Sequence, residues 1–132
     1  PGSATFKFDE ESVTLSNGKK IVDGQETELL DENAYGDLNT DGKEDVVILL
    51  SQSGGGSGIF IYIAAYVSGP VNYKGSNAIF VGDRISPQSL SISNATVTLK
   101  YLDRKPDEPF AAEPTVPVTN QFVYRSGEFV EK

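Results

Sequence analysis

The sequence predicts a mainly β, mostly antiparallel domain of about eight to ten strands, either a β-sandwich or a barrel-like fold. Short runs rich in β-branched and aromatic residues recur along the chain, separated by Gly, Asn and Pro turn residues. No segment of useful length has the apolar period of a helix, and one short helix within residues 25–33 is the expected exception. The 132 residues suit a single domain, with residues 1–4 as a probable tag or linker remnant.

The first elements are short strands. Polar and apolar side chains alternate weakly in residues 5–8. Further along, Asn17-Gly18 separates two strand-like runs, 12–16 and 19–22. An Asn-Gly pair between such runs is the strongest short-range indication of a two-residue hairpin. Residues 28–35 fit either a strand or a short helical turn, and the pattern does not separate the two.

The centre of the sheet is expected at two apolar segments. Residues 46–50 are five consecutive apolar residues with two valines and an isoleucine, which is typical of a buried strand. Residues 59–67 carry aromatic and β-branched side chains at almost every position. We expect these strands to pair through the glycine-rich residues 54–58, which act as a hairpin connection rather than as a phosphate cradle.

The second half continues with strands and turns. Residues 77–82 form a short strand, and residues 89–93 and 96–101 alternate polar with apolar residues around a turn, which predicts a half-exposed hairpin. Residues 103–117 are rich in prolines and acids, so we expect a long surface excursion without regular pairing. The segments 120–131 then form a closing hairpin.

The most informative stretch is the acidic loop of residues 37–45. It places oxygen-bearing side chains at its first, third, fifth and ninth positions, with Gly42 at the sixth. Ca²⁺ binds six to eight oxygens, and a coiled loop with alternating acids supplies them, whereas a plain acidic turn would leave its carboxylates to repel one another. The loop is not an EF-hand, because Ile48 stands where that motif needs a glutamate. The expected Ca²⁺ ligands are the side chains of Asp37, Asn39, Asp41 and Asp45 and the backbone carbonyl of Lys43.

The residue pattern of this loop resembles known calcium-binding loops. Residues 35–50 are similar to the loops of FG-GAP repeats in integrin-type propellers, but a single copy excludes a full propeller. With the glycine loop, the aromatic strand and the Gly-Asp-Arg turn at 82–84, residues 35–132 resemble a domain of bacterial secreted proteins and lipoproteins. That resemblance implies an extracytoplasmic setting and no named activity. The lipid-attachment cysteine of such proteins is absent, so a lipid anchor would lie upstream of this sequence.

Composition excludes several functions. The net charge of −8 disfavours nucleic acids and anionic membranes. Cysteine and histidine are both absent, which removes thiol chemistry, the commonest general base and any Ser–His–acid triad. No apolar run approaches the ~20 residues that span a bilayer. We therefore expect no catalytic and no organic-cofactor residues, and an extracytoplasmic location, where Ca²⁺ is abundant.

The leading expectation is a non-enzymatic, calcium-binding envelope or secreted domain that is stabilised by the ion or binds an unknown protein or glycan partner. The alternative is a small-ligand or glycan-binding β domain or, with less support, a carboxylate-based hydrolase. Aromatic residues in strands usually fill interiors, so we assign Tyr62 and Phe80 to the core and treat Tyr73 as the exposed candidate. The residues considered for a sugar or peptide groove are Tyr62, Tyr66, Tyr73, Phe80 and Tyr101.

Overall fold

The computed structural model of the protein describes residues 5–8, 11–22, 24–38, 42–54, 59–68, 73–83, 85–103, 114–125 and 128–132. All regular structure in these residues is β, and none of them is helical, so the predicted fold class is confirmed. The described strands number twelve, more than expected, because several are only three or four residues long. They are β1 (Thr5–Phe8), β2 (Glu11–Thr14), β3 (Lys19–Val22), β4 (Gln25–Gly36), β5 (Asp45–Gly54), β6 (Phe60–Ser68), β7 (Tyr73–Gly75), β8 (Asn77–Asp83), β9 (Ser86–Ser93), β10 (Thr96–Asp103), β11 (Val116–Arg125) and β12 (Glu128–Glu131).

Eight strands form a nearly closed sheet. Its order is β2-β1-β8-β6-β5-β4-β3, with β7 pairing on β6, and all its pairs are antiparallel except β1 with β8. The two end strands of this order are joined by the Asn17-Gly18 turn, where Ser16 and Lys19 exchange backbone hydrogen bonds of 2.9 and 3.2 Å. The turn is confirmed, but the predicted hairpin ladder is wrong: β2 pairs with β1, and β3 pairs with β4.

Four strands form a second, antiparallel sheet in the order β12-β11-β10-β9. The β9–β10 hairpin is confirmed, and its turn residues Asn94 and Ala95 have φ values of 51° and 60°. The closing β11–β12 hairpin is also confirmed. The predicted surface excursion is shorter than expected, because Val116 and Pro117 pair with β10; residues 104–113 lie outside the described part of the chain.

Pro117 fits into β11 because of where its nitrogen points. The Lys132 N–H donates to the Gln121 carbonyl, so the odd-numbered residues of β11 direct their backbone groups toward the β12 side. Pro117 has the same parity but lies beyond the end of β12, where no described strand pairs with it. The missing N–H therefore removes no ladder bond, and proline at a sheet edge also discourages edge-to-edge association.

The domain has two apolar clusters, one on each face of β5 and β6. The cluster between the two sheets takes Val47 and Leu49 from β5, whereas the cluster inside the curved sheet takes the alternate residues of that strand. This double burial explains the continuous apolar run that predicted a central strand. The members of the inner cluster are Phe6, Phe8, Leu15, Val46, Ile48, Leu50 and Ala64.

Residues 25–33, where a short helix was expected, belong to the twelve-residue strand β4. Their side chains alternate across the sheet: Thr27 is buried, while Glu26 and Glu28 reach the Lys19 ammonium at 3.7 and 3.3 Å. Pairing with β3 on one side and β5 on the other overrides the local helical preference. Within the described ranges, no helix is long and apolar enough to cross a membrane.

A side-chain amide joins the two sheets. Asn77, the first residue of β8, donates from Nδ2 to the Phe129 carbonyl at 2.7 Å and accepts the Phe129 N–H on Oδ1 at 2.9 Å. Phe129 belongs to β12 and its ring is buried between the sheets. The Asn77 amide therefore acts like one residue of an additional strand on the outer edge of β12.

Candidate metal centre

The acidic loop connects two adjacent strands of the eight-strand sheet. β4 ends at Gly36 and β5 begins at Asp45, and these two residues are cross-strand partners. The backbone at the base of the loop is therefore fixed by the central ladder of the sheet. The last pair of this ladder is Gly36 with Asp45, and the first loop residue, Asp37, directly follows Gly36.

Asp45 is a fully buried carboxylate, with 0% of its surface exposed. Its Oδ2 accepts the backbone N–H of Leu38 at 2.8 Å, and the Leu38 side chain is itself buried in the cluster between the sheets. Burying an ionised carboxylate is costly unless hydrogen bonds or a cation compensate. Asp45 therefore joins the loop to the start of the central strand.

A second carboxylate, that of Asp37, folds the first part of the loop back on itself. The Asp37 Oδ2 accepts the N–H of Gly42 at 2.8 Å, which folds the sixth loop position back onto the first. Gly42 has a φ of 82°, and an added Cβ would meet nothing within 4 Å. Glycine is needed here for the left-handed backbone and not for space.

Of the five predicted ligands, Asp37, Lys43 and Asp45 are described, while Asn39 and Asp41 lie outside the described residues. Lys43 is exposed beyond the turn at Gly42. Within the described residues, no group of three or more His, Cys, Asp or Glu side chains is placed to hold a metal ion. Because Asn39 and Asp41 belong to the predicted site, the five-residue ligand set stays a prediction.

The four aromatic candidates whose side chains the structure describes do not form one groove. Tyr101 is buried in the cluster between the sheets, and Tyr66 packs against the inner cluster. The assignment of Tyr62 to the interior is supported by its packing on that inner cluster, but Phe80 is 54% exposed and its assignment to the core is wrong. Phe80 is the cross-strand partner of Tyr62 in the β6–β8 ladder. The Tyr73 side chain lies outside the described part of the chain.

Three residues on the same face of the sheet as Tyr62 were missed from the sequence. Phe60 is 41% exposed, and Gln52 and Thr27 are buried polar residues joined by a hydrogen bond of 3.2 Å. Their local sequence gave one signal: Gln52 is polar at a position with the same parity as the buried residues Ile48 and Leu50.

Comparison of the chain with protein-family models, with curated proteins and with solved structures finds no match.

Proposed function

We propose that this chain is a non-enzymatic, extracytoplasmic β domain whose loop 37–45 binds Ca²⁺. The ion would be held by the side chains of Asp37, Asn39, Asp41 and Asp45 and by the Lys43 carbonyl. The role of the ion is to stabilise the base of the central sheet, and the rigid domain can then bind a protein or glycan partner. The absence of histidine and cysteine from the sequence supports a non-enzymatic role.

The main support for this proposal is that hydrogen bonds fold the loop back on itself. Carboxylates at its first and ninth positions each accept a backbone N–H from within the loop, around a glycine in the left-handed region. Those bonds hold both carboxylates against the loop backbone, and Asp45 is also removed from solvent. A hard divalent cation requires oxygen ligands from a tightly folded loop, and these bonds support the proposal for that reason.

Electrostatics favours a cation in the same place. Three aspartates within nine residues repel one another, and Asp45 lies in a dry environment where that repulsion is weakly screened. A divalent ion offsets the repulsion and compensates the burial of the Asp45 charge. Calcium suits the site better than Mg²⁺, which keeps more of its water and demands a stricter octahedral geometry.

The expected stabilisation can be calculated. Extracellular calcium modules have Kd values on the order of 10⁻⁴ M, so about 1 mM Ca²⁺ adds roughly 1.4 kcal/mol to the free energy of unfolding. A chain of 132 residues has an unfolding entropy of about 0.28 kcal/mol/K, which converts this into a rise in Tm of about 5 °C.

The test is a set of thermal melts in EDTA and in about 1 mM CaCl₂, followed by calorimetric titration. Asp37→Asn and Asp41→Asn each remove one loop charge while keeping an oxygen, and both should lose most of the calcium-dependent shift. Asp31→Asn removes an exposed charge from β4 outside the loop and should keep the full shift. Lys43→Ala should also keep it, because its proposed ligand is a backbone carbonyl.

Superimposable melts of the natural protein in EDTA and in calcium would refute the site. A full calcium shift in both loop variants would refute the ligand set. Equal losses in Asp31→Asn and the loop variants would show that the effect is general charge screening.

A further inference from the structure

A second feature lies at the opposite end of β5 from the acidic loop. Cross-strand register aligns Thr27 of β4 with Gln52 of β5, and Gln52 with Phe60 of β6. Paired residues project to the same face of a sheet, with Cβ atoms about 4.5–5.5 Å apart. Gln52 lies seven residue steps along the strand from Asp45, which is about 23 Å at 3.3 Å per residue. This row of side chains is therefore independent of the proposed calcium site.

The neighbouring row on the same face is aromatic toward β8. The Tyr62 ring contacts the buried Phe8 ring edge to face at a centroid distance of 4.9 Å, and the Phe80 ring at 5.6 Å. Phe80 in turn lies 6.1 Å from Phe60. Aromatic rings thus run without interruption from the inner cluster to the surface.

The outer end of this series is exposed. Phe60 and Phe80 are 41% and 54% exposed, and they are two of the five large apolar side chains that are exposed among the described residues. Tertiary packing does not account for their position, since each presents a large apolar surface to water. Adjacent exposed apolar side chains of this kind mark an interaction site.

A buried polar pair adjoins these rings. The Gln52 Nε2 donates to the Thr27 Oγ1 at 3.2 Å, and Gln52 is only 7% exposed. Among the described residues this is the single hydrogen bond of the Gln52 side-chain amide, which leaves its Oε1 acceptor and one N–H without a protein partner. Leaving a buried amide group unsatisfied costs about 1–3 kcal/mol, so a polar ligand atom in this place is favoured.

We propose that this face, defined by Thr27, Gln52, Phe60, Tyr62 and Phe80, binds a neutral saccharide. The negative faces of the Phe60 and Phe80 rings attract the polarised C–H groups of a pyranose. The Gln52 amide and the Thr27 hydroxyl offer both an acceptor and donors, and a sugar hydroxyl can satisfy either kind of group.

Other occupants fit these residues less well. A lipid or another purely apolar ligand would leave the Gln52 amide unsatisfied. An extended peptide needs an open strand edge, and β6 is paired with β5 on one side and β8 on the other. An anionic ligand would meet a chain of net charge −8 with no cationic side chain among the five residues.

The test is an NMR titration of the isotope-labelled protein with cellotriose, chitotriose and mannotriose, each to about 10 mM, which detects Kd values in the millimolar range. At least one trisaccharide should shift the amide resonances of Gln52, Phe60 and Phe80. Phe60→Ala and Phe80→Ala should each weaken binding about tenfold or more, as loss of a central aromatic contact does. Gln52→Met keeps the volume, removes the amide and should also weaken it.

Ile21→Ala is the matched control, because Ile21 is an exposed apolar residue on β3 outside this face. Its Kd should stay within about twofold of the natural value. Absence of shifts with all three sugars would overturn the proposal. So would concentration-dependent self-association that Phe80→Ala abolishes, since the occupant would then be a second copy of this chain.

Discussion

Replacing Asn77 by alanine removes the side-chain amide that joins β8 to β12. Both hydrogen bonds of that amide go to one residue, Phe129, at 2.7 and 2.9 Å. In β12 the ladder to β11 uses the even-numbered residues, as the bond from Lys132 N–H to the Gln121 carbonyl shows, so the backbone groups of Phe129 point away from β11. Alanine leaves them without this partner at a part-buried site.

Two hydrogen bonds worth about 0.5–1.5 kcal/mol each predict a loss of about 1–3 kcal/mol in the free energy of unfolding. The upper half of this range is the better estimate, because the Phe129 ring is buried beside these groups and limits access of water. With an unfolding entropy of about 0.28 kcal/mol/K for 132 residues, a loss of about 2 kcal/mol lowers the Tm by about 7 °C.

Urea unfolding followed by circular dichroism measures the loss. Gln88→Ala is the control, because the hydrogen bonds of the exposed Gln88 amide within the described part of the chain go to its neighbours Ser86 and Pro87. We expect a change below about 0.5 kcal/mol. Asn77→Asp keeps the acceptor but places a second oxygen against the Phe129 carbonyl. It should be at least as damaging as alanine at neutral pH and should partly recover below about pH 4, where the protonated acid can donate.

An Asn77→Ala protein with the stability of the Gln88→Ala control would refute the proposed junction. An Asn77→Asp protein that matches the natural protein at neutral pH would show that the Nδ2 donor has no role.

Three further predictions follow from local geometry. Ala95→Gly should stabilise the protein by about 0.5–1 kcal/mol in urea unfolding, because φ is 60° there and relief of left-handed strain exceeds the added entropy of the unfolded chain; destabilisation would contradict this. Gly75→Ala should destabilise by about 1–3 kcal/mol, since the new Cβ would overlap the backbone carbonyl of Thr5, and an unchanged urea midpoint would refute that close approach. Burial raises the pKa of the Tyr101 phenol above its ordinary 10.0, so the folded state favours the neutral ring and the free energy of unfolding falls as pH rises through the raised pKa. Tyr101→Phe should lessen this alkaline loss of stability, and equal pH profiles of the two proteins would contradict it.

The centre of the fold could be predicted because its signal is local. The apolar run of residues 46–50 and the aromatic strand that follows needed only to be adjacent in sequence and antiparallel, and the structure pairs Val46 with Tyr66 and Gln52 with Phe60. The turn at Asn94-Ala95 was predictable for the same reason, since alternating residues on both sides define one exposed and one buried face.

The partners of the first strands could not be predicted locally. The Asn17-Gly18 turn has the positive φ values of 52° and 81° that its sequence predicts. Yet β2 and β3 diverge from it to opposite ends of the eight-strand order, because β2 pairs with β1 and β3 pairs with the long strand β4. A turn sequence specifies its own backbone geometry, whereas the ladder beyond it depends on burial across the whole sheet.

The two proposed sites differ in how the sequence encodes them. The acidic loop is contiguous, so its spacing was visible before the fold was known. The saccharide face takes residues from four strands, and only the strand register brings Phe80 and Gln52 to the same face.

Each proposed site lies beside a buried polar residue of β5. These residues are Asp45 at one end of its apolar run and Gln52 at the other. A polar side chain buried there must be satisfied by a backbone group, a neighbouring side chain or a ligand. Asp45 accepts the Leu38 N–H on Oδ2, and the Gln52 Nε2 donates to the Thr27 Oγ1, while the Gln52 Oε1 has no partner among the described residues. We therefore place both proposals, the one for a cation and the one for a polar ligand, at the ends of β5, where polar side chains are buried in an otherwise apolar core.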